Sequence, residues 1–416
     1  MTTIALIILW SVLVIAVVLA EAFWFARPAV QPANLTAIET YFVRKLSHAS
    51  DRELGSAALI LIQDGKIATT HQFGIANAET KASVKLDQTL YQLASVSKLV
   101  TAWGVMKLVE DGRLALDQPV SRYLTRWHFS DSEYRDKVTA RHLLSHTAGL
   151  DDLFGYAGFL PGEEIQTLEE SLTLTRDITS GTPRGVIISR EPGKNWLYSG
   201  GGYTVLQLLI EEITRQPFAD YMAKSILKPL GMEKSNFDWQ AIVDEGRAGD
   251  LATSFDERLN PSPPRRYTAT AAASLYATAQ DMALLLQAYT RQNPVLNQKT
   301  LMQMMTPQPG AHQDWGLGHA LYVTNGADGY VVGHDGGNLP ALGHTVRINP
   351  ATGNGIVLMI SGNLNLSSAL GDDWVFWETG QLTVNARLRI LSDRLVPAVV
   401  GMGLGAITIV LWKLIK

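Results

Sequence analysis

Leu93-Ala94-Ser95-Val96-Ser97-Lys98-Leu99-Val100-Thr101-Ala102 places a hydroxyl and an amine three residues apart at the start of a helical pattern. On one helical turn, residues so spaced share a face. An alcohol is a poor nucleophile near neutral pH unless a neighbour takes its proton. A lysine can do this when burial and nearby charges lower its pKa. At a helix start Ser95 would also lie beside unpaired N–H groups, which favour developing negative charge. An S-x-x-K pattern recurs by chance, so its weight here comes from the stretches that follow it.

Those stretches are Ala140-Arg141-His142-Leu143-Leu144-Ser145-His146-Thr147-Ala148-Gly149-Leu150, Glu191-Pro192-Gly193-Lys194-Asn195-Trp196-Leu197-Tyr198-Ser199-Gly200 and Val332-Gly333-His334-Asp335-Gly336-Gly337. In order and spacing the set resembles the class C β-lactamase and penicillin-binding-protein-like serine hydrolases. That family also includes D-alanyl-D-alanine carboxypeptidases, D-aminopeptidases and esterases. The resemblance covers roughly residues 35–375.

The resemblance implies that Ser95 is the nucleophile, forming an acyl-enzyme, and that Lys98 accepts its proton or supports the transfer electrostatically. Their bland readings are a plain helix cap for Ser95 and an exposed helix lysine for Lys98. Ser97 reads as local structure. Tyr198 matches the first position of the family's Y-x-N motif, where a tyrosine works with the lysine as general acid and base. A phenol has a pKa near 10 and serves as a base only if cations stabilise the phenolate. The third position of that motif is Gly200 instead of asparagine, which removes a side-chain amide. His334-Asp335-Gly336 aligns with the K/H-[TS]-G motif on a strand beside the substrate cleft. The N–H groups of Ser95 and Gly337 would then form an oxyanion hole, each donor worth roughly 3 kcal/mol. Ser95, Gly337, His334, Asp335 and Gly336 are therefore the expected oxyanion and substrate-binding set. An aspartate at 335, where family members that recognise a substrate carboxylate commonly carry a hydroxyl, predicts repulsion of such a carboxylate by something like a kcal/mol or more. The favoured substrate would lack a carboxylate there, or present an amine.

Other chemistries find little support. His142 and His146 have the i, i+4 spacing of a helical metal pair, but no nearby glutamate or third ligand accompanies them. They read as packing residues, and neither a metal nor a cofactor is predicted. The G-x-S-x-G elbow, the Walker loop and the Rossmann glycine fingerprint are all absent from the sequence. With no cysteine among 416 residues, disulfides and thiol catalysis are excluded. A net charge of -4 without basic bias gives no sign of a nucleic-acid partner.

Along the chain, residues 57–63 and 66–73 are apolar-rich runs joined by Asp64-Gly65, a strong hairpin signal. A predominantly helical region follows from Ser95 to about residue 307, with helices over 101–111, 203–214, 218–227 and 278–289. Strand-like runs return at 319–324, 330–333, 344–348 and 355–361. Strands early and late with helices between predict an α+β fold whose sheet joins the two ends of the sequence. The resemblance implies an antiparallel sheet flanked by helices, an inserted all-helical lobe (β-lactamase/transpeptidase-like), and substrate bound between them.

Both ends are apolar. Residues 1–20 carry no charged side chain, and Phe23-Trp24-Phe25 precedes Arg27. This is long enough to cross a bilayer with aromatics at the interface. A cleaved leader ending near Ala20-Glu21-Ala22 competes, but no Lys or Arg precedes the run. Residues 396–412 are uncharged and lie between Arg394 and Lys413, only just long enough to span and interrupted by Pro397, Gly401, Gly403 and Gly405. The expected organisation is thus an N-terminal transmembrane anchor or signal peptide over 1–27, a hydrolase domain over 28–380 and a C-terminal transmembrane helix over 395–415.

The sequence is therefore expected to encode a membrane-anchored serine hydrolase acting on an amide or ester. A D-residue peptide, a cell-wall fragment or a small acyl ester would be its substrate, and the lipid bilayer its other partner. Family resemblance places the catalytic domain outside the cytoplasm, periplasmic or at the cell surface. The alternatives are a catalytically weak, membrane-tethered scaffold that retains the fold, and an acyltransferase.

Overall fold

A computed structural model describes residues 8–16, 34–50, 54–130, 132–152, 156–179, 183–291, 293–312, 314–327 and 329–393. Asp64 and Gly65 both take positive φ, 50° and 70°, and turn strand β1 (Ser56–Gln63) directly into strand β2 (Lys66–Gly74). Positive φ at both central residues matches the right-handed twist of a hairpin, and Asp-Gly adopts it at little cost. β1 is buried along nearly its whole length, whereas β2 alternates between exposed and half-buried positions. β2 is accordingly an edge strand. Helix α1 (Leu35–Ser50) buries Phe42 and Leu46, and its Glu39 pairs with His71 of β2 at 2.7 Å.

Between this hairpin and the remaining strands the chain builds a helical insert. Its main elements are α2 (Val96–Glu110), α3 (Gly200–Thr214) and α4 (Ala279–Gln287). The sheet is then completed by β3 (Ala320–Thr324), β4 (Tyr330–Asn338), β5 (Leu342–Asn349) and β6 (Asn354–Ser361). Its order is β2-β1-β6-β5-β4-β3, with every pair antiparallel. Ser56 at the start of β1 pairs with Ser361 at the end of β6, so opposite ends of the domain meet in the centre of the sheet. α4 packs on β1, β5 and β6, and α2 packs against β4.

α2 is apolar all round and almost entirely buried, as befits a helix enclosed by sheet and helices together. Three side chains fasten it to the segment 271–275. Thr101 donates to the Ala271 carbonyl at 2.9 Å, Lys98 donates to Ala272, and Ser97 Oγ accepts from the Leu275 N–H at 2.9 Å. β4 runs five residues past its expected end at 333, because Gly336 and Gly337 pair with His344 and Gly343 of β5. Glycine has low strand propensity, so residue type alone ends the strand too early.

The chain divides into two units, residues 36–371 and the two ends, 1–35 with 372–416. Within the second unit, Asp372 accepts hydrogen bonds from Thr383 at 2.8 Å and from Arg389 at 3.2 Å. One part of the expected fold class needs correction here. The α+β arrangement fits, but the terminal transmembrane helices do not. Among the described residues no helix is long and apolar enough to cross a membrane. Of the expected 1–27 anchor, residues 8–16 are described and helical. The rest of the expected 1–27 anchor, and all of the 395–415 helix, fall outside the described residues.

Candidate active site

The turn into α2 carries Ser95, the candidate nucleophile. Ala94 is held at φ 45°, a left-handed conformation that costs a β-carbon residue about 1 kcal/mol or more and concentrates at functional sites. Between residues 89 and 106 only Ser95 is not buried. Its side chain makes no capping bond to the helix, which leaves Oγ available to other partners. The N–H groups of Val96, Ser97 and Lys98 are taken by the carbonyls of Leu93, Ala94 and Ser95.

Lys98 sits one turn on, 2% exposed, with Nζ donating to Ser95 Oγ at 3.1 Å and to the Ala272 carbonyl at 2.8 Å. Burial drives its pKa down to about 7, and the Asp152 carboxylate opposes the change only in part. A lysine so poised can accept a proton near neutral pH. The rings of Tyr198 and Tyr203 lie 5.1 Å and 5.7 Å from Nζ.

Tyr198 precedes the N-terminus of α3, whose first turn is capped by Ser199 Oγ accepting from the Gly202 N–H at 2.8 Å. Burial of its phenolic end raises the pKa above the ordinary tyrosine value. A hydrogen bond with Ser95 opposes the rise, whereas the charges of Asp152 and Asp335 add to it. In the resting site Tyr198 is therefore a neutral phenol, a proton donor, and Lys98 is the stronger candidate base.

β4 closes the other side. Gly336 packs so tightly on the nucleophile turn that a Cβ there would lie 2.4 Å from the Leu93 carbonyl oxygen and 3.2 Å from the Val96 nitrogen. Only glycine allows this approach. His334 is buried, with Nδ1 donating to the Asp335 carbonyl at 2.5 Å. Burial, reinforced by Lys98 and opposed by that hydrogen bond, lowers its pKa to about 3, so the ring is neutral.

Asp335 behaves differently from its sequence expectation. Successive strand residues point to opposite faces, so it diverges from His334. Its carboxylate pairs with Arg347 of β5 at 2.7 Å and accepts from Thr345 at 2.5 Å. Arg347 is fully buried and lies 3.8 Å from the Tyr322 ring centroid. A carboxylate committed to a buried guanidinium does not confront an incoming substrate, and the predicted repulsion lapses.

Gly200 begins α3, and a Cβ there would lie 2.6 Å from the Tyr156 ring. The space of the absent side chain is thus filled by Tyr156, whose hydroxyl hydrogen-bonds Thr204 at 2.8 Å. Asp152 accepts a hydrogen bond from the Gly201 N–H. Burial raises its pKa, against hydrogen bonds from Ser199 and Gly201 and the charge of Lys98. Sequence reasoning passed over Asp152 and Tyr156, and also Trp315, whose ring stands 6.0 Å from Tyr198 and 5.4 Å from His334. No local motif marks them. Asp152 had one signal, its place just after Gly149-Leu150.

His142 and His146 separate. His142 faces Gly193, while His146 is buried against Tyr198, Tyr203 and Trp315. Among the described residues no group of three or more His, Cys, Asp or Glu could hold a metal ion.

Comparison with known proteins gives this geometry its context. The model of the family described as Beta-lactamase matches residues 41–381. Penicillin-binding protein 4* of Bacillus subtilis (strain 168) is 32% identical over 180 residues, covering 43% of this chain and 37% of the relative. The octameric penicillin-binding protein homologue from Pyrococcus abyssi superposes with a TM-score of 0.67 at 25% identity, over 84% of this chain and 78% of that one. The D-alanine carboxypeptidase AmpC from Burkholderia cenocepacia, at 20% identity and a TM-score of 0.60 over 86% of this chain and all of its own, shares the fold. The chain spans between 37% and 64% of the length of the first curated relatives it matches. With the family match extending over most of its length, the chain belongs to the β-lactamase family of serine hydrolases.

Proposed function

We propose that this chain hydrolyses an amide or ester through an acyl-enzyme on Ser95. Ser95 Oγ attacks the substrate carbonyl carbon and its proton passes to Lys98 Nζ. The Ser95 and Gly337 N–H groups stabilise the resulting oxyanion. Collapse of the tetrahedral species expels the leaving amine or alcohol, which takes a proton from Tyr198, and Lys98 returns one to the phenolate. A water then attacks the acyl carbon, surrenders its proton by the same route and releases the acid, restoring Ser95. The observation that carries this reading is the Lys98 Nζ to Ser95 Oγ contact of 3.1 Å, in surroundings that lower the amine pKa to about 7.

Substrates without a free carboxylate beside the scissile bond suit the site best. His334 is neutral, and the Arg347 guanidinium is turned to Asp335, so neither offers a charge to such a carboxylate. D-residue amides, capped cell-wall fragments and small acyl esters meet that condition. The kinship with penicillin-binding proteins supports the peptide members of this set and a working position outside the cytoplasm. An inert scaffold, the rival reading, rests on Gly200 alone, and Tyr156 occupies the space a side chain there would need.

Labelling with a fluorophosphonate probe tests the proposal. Wild-type protein should take up one equivalent at Ser95 and the Ser95→Ala variant none. Equal labelling of the two would remove the nucleophile from the scheme. A substrate panel pairing each ester or amide with its free-carboxylate analogue tests the substrate class, the uncharged member being turned over faster.

A further inference from the structure

Tyr198 is gripped on both sides by one residue. The N–H of Leu197, just before it, donates to the His146 carbonyl oxygen at 2.8 Å. The N–H of Ser199, just after it, donates to His146 Nδ1 at 3.1 Å. Between these two bonds the imidazole lies against the phenol ring, with centroids 4.4 Å apart and planes 36° from parallel. Trp315 supports the imidazole by its edge at 4.9 Å, and Tyr203 lies 5.3 Å away. His146 is 1% exposed, so little freedom remains to the clasp.

The bond from Ser199 fixes the chemistry of the ring. A backbone N–H can donate only to an unprotonated nitrogen, so Nδ1 carries the lone pair and the proton sits on Nε2. Burial, reinforced by the nearby Lys98 amine, holds the imidazole neutral. The backbone of His146 is also specialised, at φ 58°. This left-handed conformation lets one residue present its carbonyl and its ring to the same passing segment, and among residues with a side-chain acceptor asparagine adopts it most readily. The Ser145 and Thr147 hydroxyls meet at 2.9 Å across the turn and hold it in place.

From this arrangement we propose that His146 is a positioning residue for Tyr198, setting the phenol over the nucleophile through the paired Leu197 and Ser199 bonds. The inference rests on the Ser95 acyl-enzyme reading and adds a residue to it that touches neither substrate nor Ser95.

The test measures single-turnover acylation of Ser95 by an alkyl ester, whose leaving alkoxide takes its proton from Tyr198, in wild type, His146→Leu, His146→Asn and His146→Gln, each also combined with Tyr198→Phe. A displacement of about 1 Å at a proton-transfer group costs about 100-fold in rate, which is the loss expected for His146→Leu. Asparagine keeps an acceptor near the Nδ1 position and tolerates the backbone. His146→Asn should therefore recover most of the rate, whereas glutamine, reaching towards the Nε2 position, should not. In the Tyr198→Phe background the leucine substitution should have little further effect, because its action passes through the phenol. Wild-type rates in His146→Leu, or an equal loss in both backgrounds, would overturn the proposal. If the leucine variant fails to fold, the comparison of asparagine with glutamine decides, and equal rates there overturn it as well. A wild-type protein that takes no fluorophosphonate label at Ser95 instead removes the catalytic reading itself, and the positioning role with it.

Discussion

Lowering the pH against the acylation of Ser95 reads the protonation of Lys98 directly, since only the neutral amine can accept the serine proton. With a pKa of about 7, Lys98 is roughly half neutral at neutral pH and about 1% neutral at pH 5. The acylation rate constant should therefore fall about 100-fold between its plateau and pH 5, by about tenfold per pH unit below pH 6. Asp177 also titrates at about 7, raised chiefly by burial, so an Asp177→Asn variant is the necessary control and should keep the same midpoint. A flat profile across this range, or a midpoint that moves with Asp177→Asn, would refute the assignment of Lys98 as base. The same depression has a thermodynamic side. Holding the amine pKa near 7 instead of 10.5 corresponds to roughly 5 kcal/mol of discrimination against the ammonium. Between about pH 7 and pH 10.5 the unfolded chain binds the proton that the folded chain refuses, so stability rises with pH across that window and the full penalty applies below it. Lys98→Met should accordingly raise the melting temperature at pH 6 while abolishing labelling of Ser95, a trade of stability against activity. Calorimetry beside the probe assay checks both halves.

Removing the charge of Asp152 with Asp152→Asn takes away support for the ammonium, so the midpoint of the acylation profile should move to lower pH, as stopped-flow labelling across pH would show. Gly336→Ala forces β4 away from the Leu93 carbonyl and should slow acylation by about 100-fold, with a solved structure of the variant showing the strand displaced. Arg347→Met strands the Asp335 carboxylate and Asp335→Ser strands the guanidinium. Each should cost about 3–5 kcal/mol in chemical denaturation, and the double variant should regain much of it. Asp335→Ser should leave the preference between charged and uncharged substrates as it was, a result readable from paired ester kinetics.

The legible part of this protein is its local part. Asp64-Gly65 marks a hairpin because a two-residue turn is specified by its own two residues. Ser95 and Lys98 are legible because one helical turn brings them together whatever else the chain does. Asp335 was misread for the converse reason. As a motif letter it sits next to His334, but the strand pleat sends it to the other face, and its partner Arg347 comes from the register of β5. The clasp on Tyr198 joins residues 53 apart and has no local pattern at all. Gly200 looks like a lost function until Tyr156, far back in the chain, is found filling its space. At the termini, most of both apolar segments lies outside the described residues, among which no helix is long and apolar enough to cross a membrane.

The pairing of β1 with β6 has a consequence for biosynthesis. A growing polypeptide exposes its serine and its lysine to solvent long before the strand bearing Gly336 and Gly337 leaves the ribosome. Domains with many such distant pairings gather slowly, after the loops between them have closed. Until β4 arrives the proposed second oxyanion donor is missing, and until β6 arrives the first hairpin has no neighbour on its inner edge. Under the proposed mechanism, a nascent or prematurely terminated copy therefore carries Ser95 and Lys98 in an inert form, and attack on an ester would require translation past the last described strand.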